Sequence, residues 1–483
     1  MMARSPIIAW PAEPTDDLGL ALWVSAALAK AMQGTASEPF QVSGVEIDSR
    51  DVMEGDLFFA LKGESMDGHR FVDAAFTKGA SAAVVDRPVN GPHVLVQDTT
   101  RALEMLAKAA RERTDATVIG VTGSVGKTSV KEALFAALDR SSRGRAHRSV
   151  KSYNNHVGVP LSLARMPART KYGVFEMGMN HAGEIDALTR QVRPHVAVIT
   201  TIAPAHIENL GSEEAIADAK AEIFAGLEPG GTAVIPADSP HFARLRAAAE
   251  KAGAKVVSFG RAASADVRLL DAVTAPGGGS LVTADMGDRR LCYTVASPGE
   301  HWVTNSLAVM AAVRAAGGDL GAAGLALAEL EGMKGRGARV QIVTGDGGTA
   351  LLIDESYNAN PASMRATLAQ LGATHARRRI AVLGAMKELG DFAPGLHAAL
   401  AEPLAEADVD HVILVGDEMT ALADELGKSA GSALGKTIGF AHCRTVEEAL
   451  HALGELGLRH GDVLLVKGSN SVGLGRLVAA LSG

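Results

Sequence analysis

Thr114-Asp-Ala-Thr-Val-Ile-Gly-Val-Thr-Gly-Ser-Val-Gly-Lys-Thr-Ser-Val-Lys-Glu-Ala-Leu-Phe-Ala-Ala-Leu138 is the stretch on which the fold turns. Its first part is an apolar run of strand type, and its last part, from Val130, has helical spacing. Between them lies Thr122-Gly-Ser-Val-Gly-Lys-Thr128. Glycines there let the backbone curl so that N–H groups point at phosphate oxygens, and the helix N-terminus adds partial positive charge. Lys127 would reach the β- and γ-phosphates and Thr128 would ligate Mg²⁺. The full G-x-x-x-x-G-K-[ST] pattern is not met, because Val121 stands where the first glycine belongs, so the motif is a shortened P-loop. A plain Gly-rich turn has no need of a Lys-Thr pair directly after its last glycine. Nucleotide binding by Thr122, Gly123, Ser124, Val125, Gly126, Lys127, Thr128 and Ser129 is therefore expected.

Outward from this stretch, apolar strands recur near residues 173–177, 196–202, 233–235 and 256–259 and alternate with helices, which implies a parallel sheet. Between residues 266 and 295 the pattern changes to strands split by Gly277-Gly-Gly279 and Gly287-Asp288, as in antiparallel hairpins added to that sheet. Helices are expected at 301–316 and 319–330. The glycine-rich stretch 332–337 marks a boundary, and apolar runs at 351–353, 380–383, 412–415, 438–440 and 463–466 beyond it read as a Rossmann-like domain. Before the P-loop, runs at 56–61, 82–85 and 93–97 alternate with Ala-rich helical patterns in a small α/β domain. A chain of 483 residues holds about three domains at roughly 100–200 residues each. The expected bounds are 1–113, 114–333 and 334–483.

Composition narrows the function. Apolar residues at 47% and charged residues at 21% allow a core in each domain and exclude wholesale disorder. A formal charge of −8 has the wrong sign for a protein that coats nucleic acid or an anionic membrane. Cys292 and Cys443 are too few for a disulfide framework and lack zinc-site spacing, which fits the cytoplasm. The apolar patch at Ile7 to Trp10 is broken by Pro11, so no signal-peptide core is expected. The uncharged stretch 18–29 is too short to span a bilayer and reads as a helix packed in the first domain.

Other residues carry chemistry. Phe175-Glu-Met-Gly-Met-Asn180 and Pro204-Ala-His-Ile-Glu-Asn209 both fall at the carboxyl ends of expected parallel strands, the edge where such sheets bind ligands. Glu176 and His206 could face the P-loop there or be ordinary strand ends; a carboxylate suits Mg²⁺, and a histidine is less usual for that ion. Lys220, on a helix with apolar partners, reads by itself as a surface lysine with a packed stem. Ile353-Asp-Glu-Ser-Tyr-Asn-Ala-Asn-Pro361 ends a strand and enters a helix. Its Asn and Ser residues could cap that helix, although a cap does not need Asp354, Tyr357, Asn358 and Asn360 together.

These segments in this order resemble the Mur ligase family, ATP-dependent amide-forming enzymes of peptidoglycan precursor synthesis, over nearly all of the chain after about residue 40. Tyr153-Asn-Asn-His-Val-Gly-Val-Pro160, Phe175 to Asn180 and Asp354 to Met364 are similar to the branch that adds D-alanyl-D-alanine to UDP-N-acetylmuramoyl-tripeptide. Asp48-Ser-Arg50, residues 55–61 and Asp67-Gly-His-Arg-Phe71 are similar to the UDP-sugar-binding domain of these ligases. The Asp-Asn-Pro-Arg of the diaminopimelate-adding branch is absent from the sequence.

The resemblance implies an α/β chain of three domains: a small N-terminal UDP-binding domain, a central P-loop ATPase-like parallel sheet with an added antiparallel part, and a C-terminal Rossmann-like domain. It implies that Thr128 and Glu176 hold one Mg²⁺ and that His206 with Lys220 serve a second, Lys220 being carbamylated by CO₂. Asn305 matches the adenine-contacting position, and Arg336, Asp354 and Asn358 match nucleotide-contacting ones. Lys127, His206, Lys220 and Asp354 would be catalytic, while Asp48, Ser49, Arg50, Asp67, Gly68, His69, Asn154 and Asn155 would bind the UDP-substrate. A monomer is expected. Two departures stand out: the family's Leu-Gly-Asp-Met is Leu383-Gly-Ala-Met386 here, and Val466 to Arg476 starts like the Lys-Gly-Ser segment but lacks the methionine and acidic residue that follow. The alternatives are another P-loop amide ligase, such as folylpolyglutamate synthase, and a nucleotide-switched scaffold without ligase chemistry. The latter has no use for Lys127, Thr128, Glu176, His206 and Lys220 together.

Overall fold

The computed structural model describes residues 21–63, 66–204, 207–275, 278–330, 332–429 and 438–482. His206, Gly277 and the patch at Ile7 to Trp10 lie outside the described residues. The chain divides into two compact units, one holding the chain up to Asp115 together with Pro160–Arg169, the other holding Ala116–Val159 and Thr170 onward.

In the second unit the P-loop strand Thr117–Thr122 pairs in parallel with Tyr172–Glu176 on one side and Val196–Ile199 on the other. It is the seventh strand of a nine-stranded sheet among the described residues. From Thr122 the chain first builds Ala146–Arg148 and Tyr172–Glu176 on one flank, then crosses to Val196–Ile199, Thr232–Pro236 and Lys255–Gly260 on the other. That reversal opens a crevice at the carboxyl end of the P-loop strand, where doubly wound sheets bind ligands. Beyond it Val267–Thr274, Ser280–Asp285 and Arg290–Val295 form the expected antiparallel extension.

The helices Lys127–Ser142 and Glu300–Ala315 cover one face, burying Leu134, Leu138, Leu307 and Met310 against Val174, Val198 and Val234. Each such side chain removed from water contributes about 1.5–3 kcal/mol. Tyr172–Glu176 and Val196–Ile199 are buried at every residue, hence on both faces, which explains why the strands read as unbroken apolar runs rather than as alternating ones.

The third sheet has six strands in the order Ala338–Val343, Thr349–Glu355, Val463–Lys467, Arg379–Gly384, His411–Val415 and Gly439–Cys443. All are parallel except the edge strand Ala338–Val343, which sequence reading did not anticipate. Only Ile342 of that strand is buried, so it carries no apolar run. The last strand in the chain, Val463–Lys467, sits between the second and third in sequence. Asp354, Lys467 and Ala385 thereby share one sheet edge.

The first unit is a five-stranded sheet in which Gly44–Glu46, Asp56–Phe59, Ala82–Val85 and His93–Leu95 run parallel and Thr35–Ala36 is antiparallel. The helix expected within 18–29 begins later, as Ser25–Met32, because Trp23–Val24 pairs with Gln41–Val42.

Candidate functional site

The P-loop turns on two glycines. Gly123 has φ +147° and Gly126 φ +87°, and a methyl group on Gly123 would lie 1.9 Å from Thr200 Oγ1. Neighbouring contacts fix the loop: Ser124 N donates to Thr201 O at 2.7 Å, Ser124 Oγ donates to Ala203 O at 2.8 Å, and Thr200 Oγ1 donates to Val125 O at 2.5 Å. Ser124 is thus tied to the segment that follows Val196–Ile199, and Thr122 Oγ1 is buried without a hydrogen-bond partner among the described residues. Gly126 caps the helix Lys127–Ser142, whose first N–H groups have no intrahelical acceptor and open toward the crevice mouth. Asn305, on the helix Glu300–Ala315, is buried against this turn, its Oδ1 2.9 Å from where a Gly126 methyl would sit.

Lys127 is half-buried and its ammonium donates to Gly123 O at 2.8 Å. Burial pushes its pKa down; Glu176 and Glu388 oppose that shift and Arg336 adds to it. Arg336 and Glu388 belong to the third sheet's loops, so the part of the chain beyond the 332–337 glycines bears on the P-loop lysine.

Glu176, at the end of its strand, is buried to 1% exposure. Its Oε2 accepts from Thr128 Oγ1 at 2.9 Å and its Oε1 accepts from Asn154 Nδ2 at 2.9 Å. Thr128 and Glu176 are therefore neighbouring hard oxygen donors beside the phosphate-binding turn. Lys220 is buried to 1% exposure on the helix Glu213–Ala221. Burial, with repulsion from Lys127, pushes its pKa well below the usual lysine value. No carboxylate among the described residues lies within ion-pair reach of it, so the surface-lysine reading fails.

Asp354 is buried and braces the 332–337 turn: its carboxylate accepts from Gly335 N at 2.7 Å, Ser356 N at 3.1 Å and Ser356 Oγ at 2.6 Å. The next residue, Arg336, stacks on Tyr357 at 4.5 Å and donates to Ser152 Oγ at 3.1 Å. Asn358 is exposed; its carbonyl accepts from Lys467 Nζ at 2.9 Å. Asn360 is the helix cap, trading bonds with Ser363 at the start of Pro361–Ala373. His301 is driven to a pKa of about 4 by burial and by Lys467.

The remaining expected residues have local partners. Asn155 Oδ1 accepts from Val157 N and Gly158 N and starts the helix Gly158–Ala164. In the first unit Arg50 pairs with Asp48 at 2.6 Å, and Ser49 between them is half-buried. Asp67 accepts from His69 N and holds His69 Nδ1 at 2.7 Å and Arg87 Nη2 at 2.6 Å. His69 Nε2 accepts from Asp86 N at 3.1 Å, and a methyl group on Gly68 would meet Leu61 O at 2.6 Å. Asp67-Gly68-His69 thus forms an internal brace that fixes the shape of its loop.

Sequence reading passed over Lys131, Lys467 and Glu388. A lysine inside a helical run or at a strand end carries no signal of burial. The left-handed φ of +62° at Glu388 has none either. At the two departures, Ala385 is fully buried, Met386 N donates to His397 Nε2 at 2.9 Å, and Lys387 pairs with Glu418. Arg476 pairs with Glu447 at 3.0 Å.

Comparison with known proteins gives a consistent result. Residues 41–116 match the Mur ligase family catalytic domain, 121–313 the Mur ligase middle domain, and 338–470 the Mur ligase glutamate ligase domain. A UDP-N-acetylmuramoyl-tripeptide–D-alanyl-D-alanine ligase of Synechocystis is 36% identical, covering 92% of this chain and 93% of its own. The crystal structure of MurF from Acinetobacter baumannii superposes with a TM-score of 0.80 at 32% identity, over 95% of this chain and 98% of that one. MurF from Thermotoga maritima, solved in complex with ADP, gives 0.72 at 26% identity, over 91% and 97%.

Proposed function

The chain belongs to the Mur ligase family, and on that premise we propose that it joins D-alanyl-D-alanine to UDP-N-acetylmuramoyl-tripeptide at the expense of ATP. The observation that carries the reading is the meeting of Lys127, Thr128 and Glu176 with Arg336 at one sheet edge, in a chain whose relatives carry that name over nine-tenths of its length. Residues 1–113 bind the UDP-sugar peptide, 114–333 bind ATP, and 334–483 add nucleotide contacts and receive the dipeptide.

A carboxylate forms an amide in water only after gaining a good leaving group. The tripeptide carboxylate attacks the γ-phosphorus of ATP, ADP departs, and an acyl phosphate remains; the dipeptide amine then adds to the acyl carbon, and the tetrahedral intermediate expels phosphate. Lys127 and the helix N-terminus neutralise charge on the transferring group, while Asn305 holds the adenine end. Asp354 fixes the turn that carries Arg336 toward the phosphates, and Asn358 lies beside it.

Thr128 and Glu176, buried oxygen donors 2.9 Å apart, fit Mg²⁺. Lys220 as an ammonium fits no cation, but the burial that lowers its pKa favours the neutral amine that CO₂ addition requires. As a carbamate, with His206, it would hold a second ion. Mg²⁺ bound there would offset negative charge on phosphoryl oxygens. In the first unit Asp48, Ser49, Arg50 and the Asp67 to His69 brace receive the UDP-sugar; Asn154 and Asn155, which belong to the second unit, are further substrate-binding residues. The enzyme works as a monomer in the cytoplasm. No helix of the described residues is long and apolar enough to cross a membrane.

The test is phosphate release from ATP with UDP-N-acetylmuramoyl-tripeptide, with and without D-alanyl-D-alanine, with the product mass measured. Release that needs both, with a mass gain of one dipeptide less water, is expected. Release indifferent to the dipeptide would sink the assignment.

A further inference from the structure

Lys131 lies one helical turn beyond Lys127, on the helix that starts at the P-loop, and has 0% exposure. Helix lysines ordinarily bury the stem and keep the ammonium in water. A buried ammonium is tolerated only where paired and hydrogen-bonded. Here Nζ donates to Lys151 O at 2.7 Å and lies 3.0 Å from Glu132 Oε1 and 3.8 Å from Glu176 Oε2. Lys151 O and Glu132 Oε1 lie within hydrogen-bond reach of the ammonium, and Glu176 Oε2 completes the set as an ion pair.

One of those oxygens belongs to a proposed cation ligand and another to a backbone turn that touches it. Glu176 is the carboxylate beside Thr128. Lys151 has a left-handed φ of +53° and opens the turn 151–154. In that turn Ser152 Oγ accepts from Arg336 and Asn154 Nδ2 donates to Glu176 Oε1. One ammonium therefore ties the P-loop helix to the Glu176 carboxylate and to the turn that meets both Glu176 and Arg336. The mechanism above leaves this lysine without a task.

We propose that Lys131 is a positioning residue for the cation site: it holds the Glu176 carboxylate and the 151–154 turn in place before metal and nucleotide arrive. The inference rests on reading Thr128 and Glu176 as the Mg²⁺ ligands. Partners of metal ligands typically set metal affinity by about 10- to 100-fold. A neutral side chain of similar length at this position should weaken cation binding by that factor and leave turnover at saturating metal within about threefold.

The experiment titrates Mn²⁺ into the full chain with ADP, counting free Mn²⁺ by electron paramagnetic resonance, for the wild type, Lys131→Met and Lys131→Arg. Thermal unfolding in EDTA is run alongside. The expected result is a Kd raised 10- to 100-fold in K131M and partly restored in K131R, with a higher Mg²⁺ requirement and nearly constant kcat in the ligase assay. A merely structural lysine would lower the melting temperature and the fraction of binding sites while leaving the Kd of the folded fraction unchanged, and that outcome overturns the proposal. If K131M does not fold, K131R carries the test, and a wild-type Kd in it overturns the proposal equally. A wild type that binds no Mn²⁺ with ADP overturns the cation-site reading itself; binding in the wild type with no weakening in the variants overturns the role of Lys131 alone.

Discussion

Lys220→Met tests the charge state of a buried lysine without disturbing its packing, because methionine keeps most of the stem and has no proton to lose. Lys220 is 1% exposed, and its pKa is pushed well below 10.5 by burial and then by Lys127. Between that depressed value and the unfolded value of about 10.4, the unfolded chain binds one proton more than the folded chain. Wild-type stability therefore rises with pH across this window and is lost as pH falls toward the folded value, at about 1.4 kcal/mol per pH unit. The variant has no such slope. For a domain of roughly 200 residues, 1 kcal/mol moves the melting temperature by about 2–4 °C. In CO₂-free buffer, the wild type should gain melting temperature relative to K220M as pH rises from the depressed folded value toward the unfolded one, by at most about 3–6 °C per pH unit. Bicarbonate should raise the wild-type melting temperature alone, since a carbamate forms only on the folded chain's amine. Ligase activity of the variant should fall about 100-fold or more. A gap that does not change with pH would refute the reasoning, because the lysine would then be charged and solvated in the folded protein.

Gly123→Ala places a methyl group 1.9 Å from Thr200 Oγ1 at a φ that L-residues avoid; strain of about 1–3 kcal/mol should raise the Kd of a fluorescent ADP about tenfold or more, and an unchanged Kd would mean the loop can move aside. Asp354→Asn turns an NH₂ toward at least one of three donors, at a cost of about 1–3 kcal/mol. Titration calorimetry should show ATP-analogue binding weakened about 5- to 50-fold, with UDP-substrate binding intact. His69→Ala removes both ends of a brace that Asp67 and Asp86 share. The first unit should lose about 2 kcal/mol to thermal unfolding and UDP-substrate affinity should drop while ADP affinity stays constant.

The P-loop was legible because its signals are local: an apolar strand, two glycines and a Lys-Thr pair at a helix start all lie within a dozen residues. The strands of the covered sheets were legible for a similar reason, since burial on both faces writes unbroken apolar runs. Ala338–Val343 escaped because an exposed edge strand buries only Ile342. The buried lysines escaped for a deeper reason. Lys131 is distinguished from a surface lysine by oxygens of Lys151 and Glu176, 20 and 45 positions away. Lys220 is distinguished by burial with no ion-pair partner among the described residues, which no spacing records. Likewise Asp67 and His69 read as ligand-binding residues of their motif, whereas their engagement with Arg87 and Asp86 depends on how the loop closes. Helix capping by Asn360 was one of two readings left open, and the structure shows it directly.

The placement of Val463–Lys467 at the middle of the third sheet governs how a nascent chain can mature. Until that segment leaves the ribosome, Thr349–Glu355 and Arg379–Gly384 have unpaired edges toward each other, a state prone to aggregation. The sheet closes by accepting its last strand between two earlier ones, a long-range pairing that is slow to form. Lys467 meets the Asn358 carbonyl only at that moment. The C-terminal sheet would thus be the last part of the enzyme to become competent, and premature termination before Val463 would leave it unfinished beside the P-loop sheet.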